Sequence, residues 1–240
     1  MTSSPSDRSP GQEPEARLRA DAERNRDLIL AAARRLFATE GLGVSMASVA
    51  REAGVGKATL SRRFASREEL INAVFADRMD AYAGAVAEAL ADPDPWHGFT
   101  GYIHAVCAMQ AADRGFADVL TMSFPTAKAL EARRTESYNA FLELIARARN
   151  SGHLREDFVP EDLVILQMAN AGVIAAGGDS APDAWRRLVG HMIRSYAAPG
   201  APIPEVPAAP APTALYRAMV RLARTGPGSV EAKASSADGA

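Results

Sequence analysis

Ser45-Met-Ala-Ser-Val-Ala-Arg-Glu-Ala-Gly54-Val-Gly-Lys-Ala-Thr-Leu-Ser-Arg-Arg-Phe64 carries the clearest structural signal in this 240-residue chain. Ser45 suits an N-cap, because its hydroxyl accepts from an orphan backbone N–H of the first turn. Val49 and Ala53 lie one helical turn apart on a single inward stripe. Gly54 ends that helix, since glycine enters the left-handed C′ conformation without a Cβ clash. After the turn Val55-Gly56, a second helix runs from Lys57 to Phe64. Leu60 and Phe64 share its inner face, which leaves Lys57, Thr59, Ser61, Arg62 and Arg63 outside. That outer set holds hydrogen-bond donors and no carboxylate, a composition suited to phosphates and base edges in a DNA groove.

Working outward, Leu28, Ile29, Leu30, Ala32, Ala33, Leu36 and Phe37 recur at helical spacing before the stop signal Thr39-Glu40-Gly41. On the other side, Ser66-Arg67-Glu68-Glu69 is a capping box that opens a helix bearing Leu70, Ile71, Val74 and Phe75. Three short helices and a fourth that leads away from them result.

The run from Arg24 to Asp80 resembles the amino-terminal DNA-binding domain of TetR-family transcriptional repressors. The resemblance is carried by Leu36-Phe37-Ala38-Thr39-Glu40-Gly41, Ala53-Gly54-Val55, Thr59-Leu60-Ser61-Arg62-Arg63-Phe64 and Ser66-Arg67-Glu68-Glu69-Leu70. Two positions depart from the family pattern. Ser61 stands where a tyrosine usually packs on the DNA backbone, and Arg67 stands where a lysine usually neutralises a phosphate. The resemblance implies a DNA-contacting set of Ser45, Lys57, Ala58, Thr59, Ser61, Arg62, Arg63 and Arg67, and a double-stranded operator as partner. Lys57, near the start of its helix, is placed to reach base edges, and Arg67 to hold a phosphate.

Charge supports this locally. The whole chain carries 27 Lys plus Arg against 29 Asp plus Glu, so its overall charge does not indicate steering of the entire molecule toward nucleic acid. Between Arg24 and Phe64, however, eight basic residues face three acidic ones, a local net charge of +5 that leaves −7 for the remainder.

The remainder also reads as helical. After Ala91-Asp92-Pro93-Asp94-Pro95, Trp96, Phe99, Ile103, Val106, Cys107 and Gln110 repeat at three and four. A short piece with Phe116, Val119 and Leu120 follows, then Ser123-Phe124-Pro125, whose proline suits a first helical turn. A longer helix carries Leu130, Arg134, Tyr138, Phe141, Leu142 and Ile145. The helix from Pro160 is apolar nearly all round, which predicts burial on most sides. Gly177-Gly178-Asp179-Ser180 breaks it, and Pro182 introduces a last firm helix. No strand pattern competes. The expectation is an all-α protein: a disordered tail over residues 1–20, a helix-turn-helix domain with connecting helix over 21–80, and a helical regulatory and dimerisation domain over 81–198. An Ala/Pro-rich linker with a short amphipathic helix, loosely attached, completes it over 199–240.

In TetR-like proteins the last two bundle helices pair with those of a second subunit. Carried to this chain, that role falls on Leu163, Leu166, Ala169, Trp185, Leu188, Met192 and Tyr196. Such a homodimer presents two reading helices to an inverted repeat. The resemblance further implies a small-molecule effector in the bundle, with Tyr102, Met109, Phe116, Met122, Phe124, Tyr138, Phe141, Met168 and Asn170 as candidate walls. These favour a mostly hydrophobic compound, because no Gly-rich phosphate loop or arginine cluster lies in this half. The alternative is a dimeric DNA binder whose bundle senses nothing or answers to a protein partner.

Enzymatic and metal readings are weaker. His104 and Cys107, three apart on one helix, form a conceivable thiol and base without a third partner. His97, His104, His153 and His191 lack metal-ligand spacing, and no cofactor or metal is expected. The single cysteine permits no internal disulfide, the amino-terminal tail lacks the apolar core of a signal peptide, and no membrane partner is indicated. The expected location is the cytoplasm.

Overall fold

The computed structural model describes residues 12–121 and 128–225. The head consists of α1 (Gln12–Glu40), α2 (Met46–Glu52) and α3 (Lys57–Arg63), and α4 (Arg67–Ala91) leads out of it. Ser45 caps α2 as its sequence predicts, its hydroxyl accepting from Ser48 N at 3.0 Å. Gly54 takes φ +67°, the left-handed turn that lets α3 cross α2. Leu60 and Phe64 are buried in one apolar core with Ile29, Ala33 and Phe37 of α1, Val49 of α2, and Leu70 and Ile71 of α4. Two surface links reinforce this core. Arg35 pairs with Glu52 at 3.0 Å, and the Arg26 guanidinium lies 5.6 Å from the Phe64 ring centre.

The capping box of α4 differs in one detail. Ser66 Oγ accepts from Glu69 N at 3.1 Å, but the Glu69 carboxylate reaches back to Ala65 N, one residue beyond the capping serine. The helix start is tied down all the same. A larger difference lies upstream, where the tail expected to be disordered through residue 20 is helical from Gln12; residues 1–11 lie outside the described part. That segment is rich in Ala, Glu and Arg, which favour helix, but it lacks the apolar period that announces one.

The bundle contains α5 (Pro95–Ala112), α6 (Arg114–Thr121), α7 (Lys128–Asn150), α8 (Pro160–Gly177) and α9 (Ala184–Tyr196), with a 3₁₀ turn at Gly178–Ser180. A last helix, α10 (Pro212–Thr225), follows an extended stretch. Among the described residues there is no strand, and the one β-bridge joins Leu154 to Ala197. The expected proline-led turn at Ser123-Phe124-Pro125 falls outside the described residues. α4 packs along α7 and α5, and Arg147 of α7 donates to the carbonyls of Leu90 and Asp92 at the end of α4. A cation placed on orphan carbonyls also complements the negative end of the helix.

Two expectations fail in the bundle. α8 is not buried on most sides: Leu163, Leu166, Gln167 and Asn170 face inward, whereas Val164, Ile165 and Met168 are exposed at 43%, 60% and 55%. An all-round apolar sequence is compatible with one face meeting the chain's own core and another left open. α8 is also long and apolar enough to cross a membrane by length and hydropathy, although its inner stripe lies in this core. Nor does the carboxy-terminal segment hang loosely. Trp96 Nε1 donates to Pro202 O at 2.7 Å and Arg187 Nη1 to Pro207 O at 2.7 Å, so the extended stretch is strapped across α5 and α9. Arg221 of α10 then donates to Ala175 O and Ala176 O at the end of α8.

Candidate nucleic-acid interface and bundle cavity

Lys57, Ala58, Ser61, Arg62 and Arg63 are exposed on α3, and Thr59 is half-exposed beside them. Ser45 is exposed at the start of α2, and Arg67 is half-buried in the first turn of α4. Among the described residues no carboxylate pairs with Lys57, Arg62, Arg63 or Arg67, in contrast to Arg35, which Glu52 neutralises. Arg62 leans on the Thr59 hydroxyl at 3.4 Å. α3 thus presents uncompensated cations and small hydroxyls on a narrow helix held rigidly from behind by Leu60 and Phe64. Such a surface fits the major groove, where cations gain affinity by releasing counterions and side-chain donors read base edges.

The head is joined to the bundle through α6, which packs on both α1 and α8. Asp118 Oδ2 accepts from Leu42 N, in the turn between α1 and α2, at 2.7 Å. At Gly115 a Cβ would meet Phe37 O at 2.8 Å and the Phe75 ring at 2.8 Å, so only glycine permits this approach. A file of aromatic rings follows the same direction. Phe37, Phe75, Phe116, Tyr82, Tyr102 and Phe141 succeed one another at centroid separations of 6.0, 6.3, 6.5, 6.2 and 5.2 Å.

That file ends at a cavity of about 310 Å³ bounded by α4, α6, α7 and α8. Tyr82, Leu120, Tyr138, Phe141, Leu163 and Gln167 line it, with Thr121, Thr135, Pro160, Val164 and the pair Glu131–Arg134, 3.2 Å apart. Of the nine expected wall residues, Tyr138 and Phe141 line this cavity. Tyr102 and Phe116 are core rings behind it, Met109 is half-buried among the residues packed on the core, and Asn170 is a buried strut donating to Cys107 O and Gln110 Oε1 at 3.2 and 2.9 Å. Met168 points away on the open face of α8, which removes it from any inner wall. Met122 and Phe124 lie outside the described residues. Sequence reasoning missed Tyr82 and Gln167. Tyr82 sits on the connecting helix, just past a boundary drawn at residue 80, and the inner register of α8 is hidden by apolar residues on every side.

The expected dimer contacts divide similarly. Leu163, Leu166, Trp185 and Tyr196 are buried in their own chain, which puts them beyond a partner's reach; Tyr196, for example, stacks edge-on to Phe158 at 4.9 Å. Ala169 is exposed, and Leu188 and Met192 are half-exposed. The residues that stand open beside Ala169 are Val164, Ile165 and Met168.

Nothing catalytic assembles at His104 and Cys107. Burial pushes the Cys107 thiol up to about 12 and lowers His104, with Arg186 adding to the latter, so neither the thiolate nor the imidazolium is favoured. No cluster of metal-ligating side chains occurs among the described residues.

Comparison with known families agrees with this geometry. Residues 29–74 match the family of bacterial regulatory proteins, tetR family, and residues 94–194 match the C-terminal domain of SbtR-like transcriptional regulators. The chain belongs to the TetR family. It is a DNA-binding transcriptional regulator and not an enzyme. No curated protein matched it. Among solved structures, a TetR transcriptional regulator from Streptomyces coelicolor is 29% identical, with 73% of this chain and 99% of that chain covered and a TM-score of 0.45. A bacterial regulatory protein in the tetR family from Rhodococcus RHA1 is 15% identical over 72% of this chain and 97% of its own, at a TM-score of 0.56. The TetR family regulator PfmR from Thermus thermophilus is 20% identical over 69% of this chain and 97% of its own, at a TM-score of 0.53. The last two likenesses are of fold: a three-helix head on a helical bundle, as in this regulator.

Proposed function

We propose that this regulator is a dimeric repressor that reads an inverted repeat with one α3 per protomer and leaves it when a small molecule occupies the bundle cavity. The observation that carries this reading is the mechanical link through α6, which places one element between the α1–α2 turn and the cavity. Asp118 holds the amide of Leu42, and Leu120 and Thr121, less than one helical turn further on, line the cavity. A ligand that pushes α6 or α4 outward moves the head at the same time.

Dimerisation supplies the lever arm. A second copy packed on the open face of α8, around Ile165, Met168 and Ala169, with Leu188 and Met192 of α9 beside it, would hold two recognition helices at a set separation. Operators read by paired helices of this kind repeat at about 34–36 Å. Lys57 and the α3 hydroxyls then read bases while Arg62, Arg63 and Arg67 fix the register on phosphates, with Ser45 and Ala58 at the edge of the contact. Release requires only that the ligand bind the displaced head arrangement more tightly than the operator-bound one. Each factor of ten in operator affinity needs about 1.4 kcal/mol of that difference.

Sequencing DNA captured by the purified protein tests the first half of the proposal, with a two-fold symmetric motif as the expected result. Recovery of DNA with no common motif would refute it. For the second half, Asp118→Ala is expected to keep operator binding and lose its response to any releasing compound. A variant that responds as well as the parent would dissociate α6 from the mechanism.

A further inference from the structure

We infer that α10 of each protomer is a clasp for a second copy of the same chain, its open apolar stripe seated on the start of the partner's α8. The inference rests on the proposed pairing through α8. It extends that contact to a helix lying beyond the matched C-terminal domain, which ends at residue 194.

α10 is mounted with its larger apolar side chains outward. Ala218 is buried and Ala214 half-buried on the side turned to its own chain, and Arg221 on that side donates to Ala175 O and Ala176 O of α8. Gly178 makes room for this guanidinium, since a Cβ there would collide with it. The other stripe, Leu215, Tyr216, Met219 and Leu222, is exposed at 41%, 68%, 66% and 44%. A helix whose outer side faced only water would carry polar residues there. Of the twelve large apolar side chains exposed among the described residues, seven lie on α8 and α10, two helices in contact. Apolar surface gathered in this way marks a site of protein association.

The form of the α8 face selects a second copy as the occupant. Its open positions, Val164, Ile165, Met168, Ala169, Gly172 and Ala175, follow one stripe with Met168 and Ala169 at its middle. A two-fold axis through that middle makes the contact self-complementary and the two α8 helices antiparallel. At a shallow crossing of about 20°, the end of α8 that holds α10 then meets the start of the partner's α8. That start matches α10 in chemistry. Val159 is exposed at 47% and receives the apolar stripe, and the exposed carboxylate of Glu161 receives Arg217, an exposed cation on a helix that contains no acidic residue. A parallel pairing would instead set Arg217 against its own copy. Nor does α9 offer an apolar surface in place of α10: its exposed residues are Arg186, His191, Arg194 and Ser195.

The first test is sedimentation of the full chain carrying Tyr216→Glu and Met219→Glu, which alter the open stripe and leave the Ala218 and Arg221 seat intact. The dimer is expected to weaken at least about a hundredfold, because each substitution counts twice across a two-fold axis. The far-ultraviolet circular dichroism spectrum should stay that of the parent. The second test places Glu161→Cys and Arg217→Cys in one chain and adds bismaleimidoethane; Cys107 is buried. A band of doubled mass in denaturing gels is expected, and neither single variant should give it. An undiminished dimer in the first variant, no doubled band in the second, or a doubled band from Arg217→Cys alone overturns the clasp. Flotation of the parent on phosphatidylglycerol vesicles, lost in the first variant while dimerisation is unchanged, also overturns it and assigns the stripe to a membrane. Ile165→Glu with Met168→Glu separates the clasp from the pairing beneath it. If that variant is monomeric and the α10 variant dimerises like the parent, the α8 pairing stands and the clasp fails. If both variants dimerise like the parent, or the parent itself is a monomer, both readings fail.

Discussion

The head and the bundle of this regulator are built inside out relative to one another. The head is apolar within, around Leu60 and Phe64, and carries unpaired cations outside. The bundle hides polar side chains within, including Gln110, Ser137, Gln167 and Asn170, and shows Val164, Ile165 and Met168 outside. A surface that meets DNA must offer donors and charge to a wet, anionic partner. A surface suited to another protein offers apolar area, and a chamber suited to a small molecule keeps a few polar groups among rings. On the proposed function, specificity resides on the skin of the head and in the interior of the bundle.

The sharpest break of that contrast is at the dry core of the head. Phe64→Ala is expected to cost about 3–5 kcal/mol of head stability, in the range of a buried ring truncated to alanine. Circular dichroism melts should show operator binding lost together with an early transition, and a loss under about 1 kcal/mol, well below that range, would mean that the head is not held by this core. Next, Ile165→Glu combined with Met168→Glu places two carboxylates on the open α8 face. Sedimentation should report monomers, and operator affinity should fall at least a hundredfold, about 2.7 kcal/mol, with the melting midpoint little changed. A dimer that persists would assign the pairing to another face.

Two substitutions separate reading from anchoring on the head. Lys57→Ala is expected to relax sequence preference at a cost of about 1–3 kcal/mol. Arg67→Ala should weaken all sequences alike and lower the slope of log affinity against log salt by roughly 0.9. Gel shifts over operator variants and salt steps distinguish them, and uniform loss from both would dissolve the division of roles.

The smallest effect is expected at the bundle surface, where His97 Nδ1 lies 2.6 Å from Asp92 Oδ2. That hydrogen bond raises His97 above the ordinary imidazole value and lowers Asp92 below the ordinary carboxylate value. The raised imidazole contributes fully below its unfolded value and loses the contribution as pH rises through its folded one. The lowered carboxylate contributes above its unfolded value and loses it as pH falls through its folded one. His97→Ala should therefore lower the melting midpoint only in mildly acidic buffer; an equal shift in alkaline buffer, well above the folded imidazole value, would exclude an ionic origin.

Legibility follows the same division as function. The head was readable because its determinants are local. Ser45, Gly54 and Ser66 act on backbone within a few residues of themselves, and Leu60 and Phe64 leave a distinct outer face on a short helix. Even there, the helical start at Gln12 was missed, because a segment polar all round has no period to detect. In the bundle, helix existence and order were legible, and facing was not. α8 carries apolar residues on every side, so nothing in its order separates the inner stripe of Leu163, Leu166, Gln167 and Asn170 from the outer one of Ile165, Met168 and Ala169.

By itself the sequence determined an all-α chain with a basic reading helix at Lys57–Arg63, through caps, glycine turns and spacing, which are interactions between near neighbours. Tertiary structure decided the rest: that Tyr82 and Gln167 meet across a cavity, that Asp118 reaches Leu42, and that the segment after Pro199 is strapped to α5 and α9. Those outcomes depend on which side of each helix faces which neighbour, and that rotation is set by long-range packing of the whole bundle.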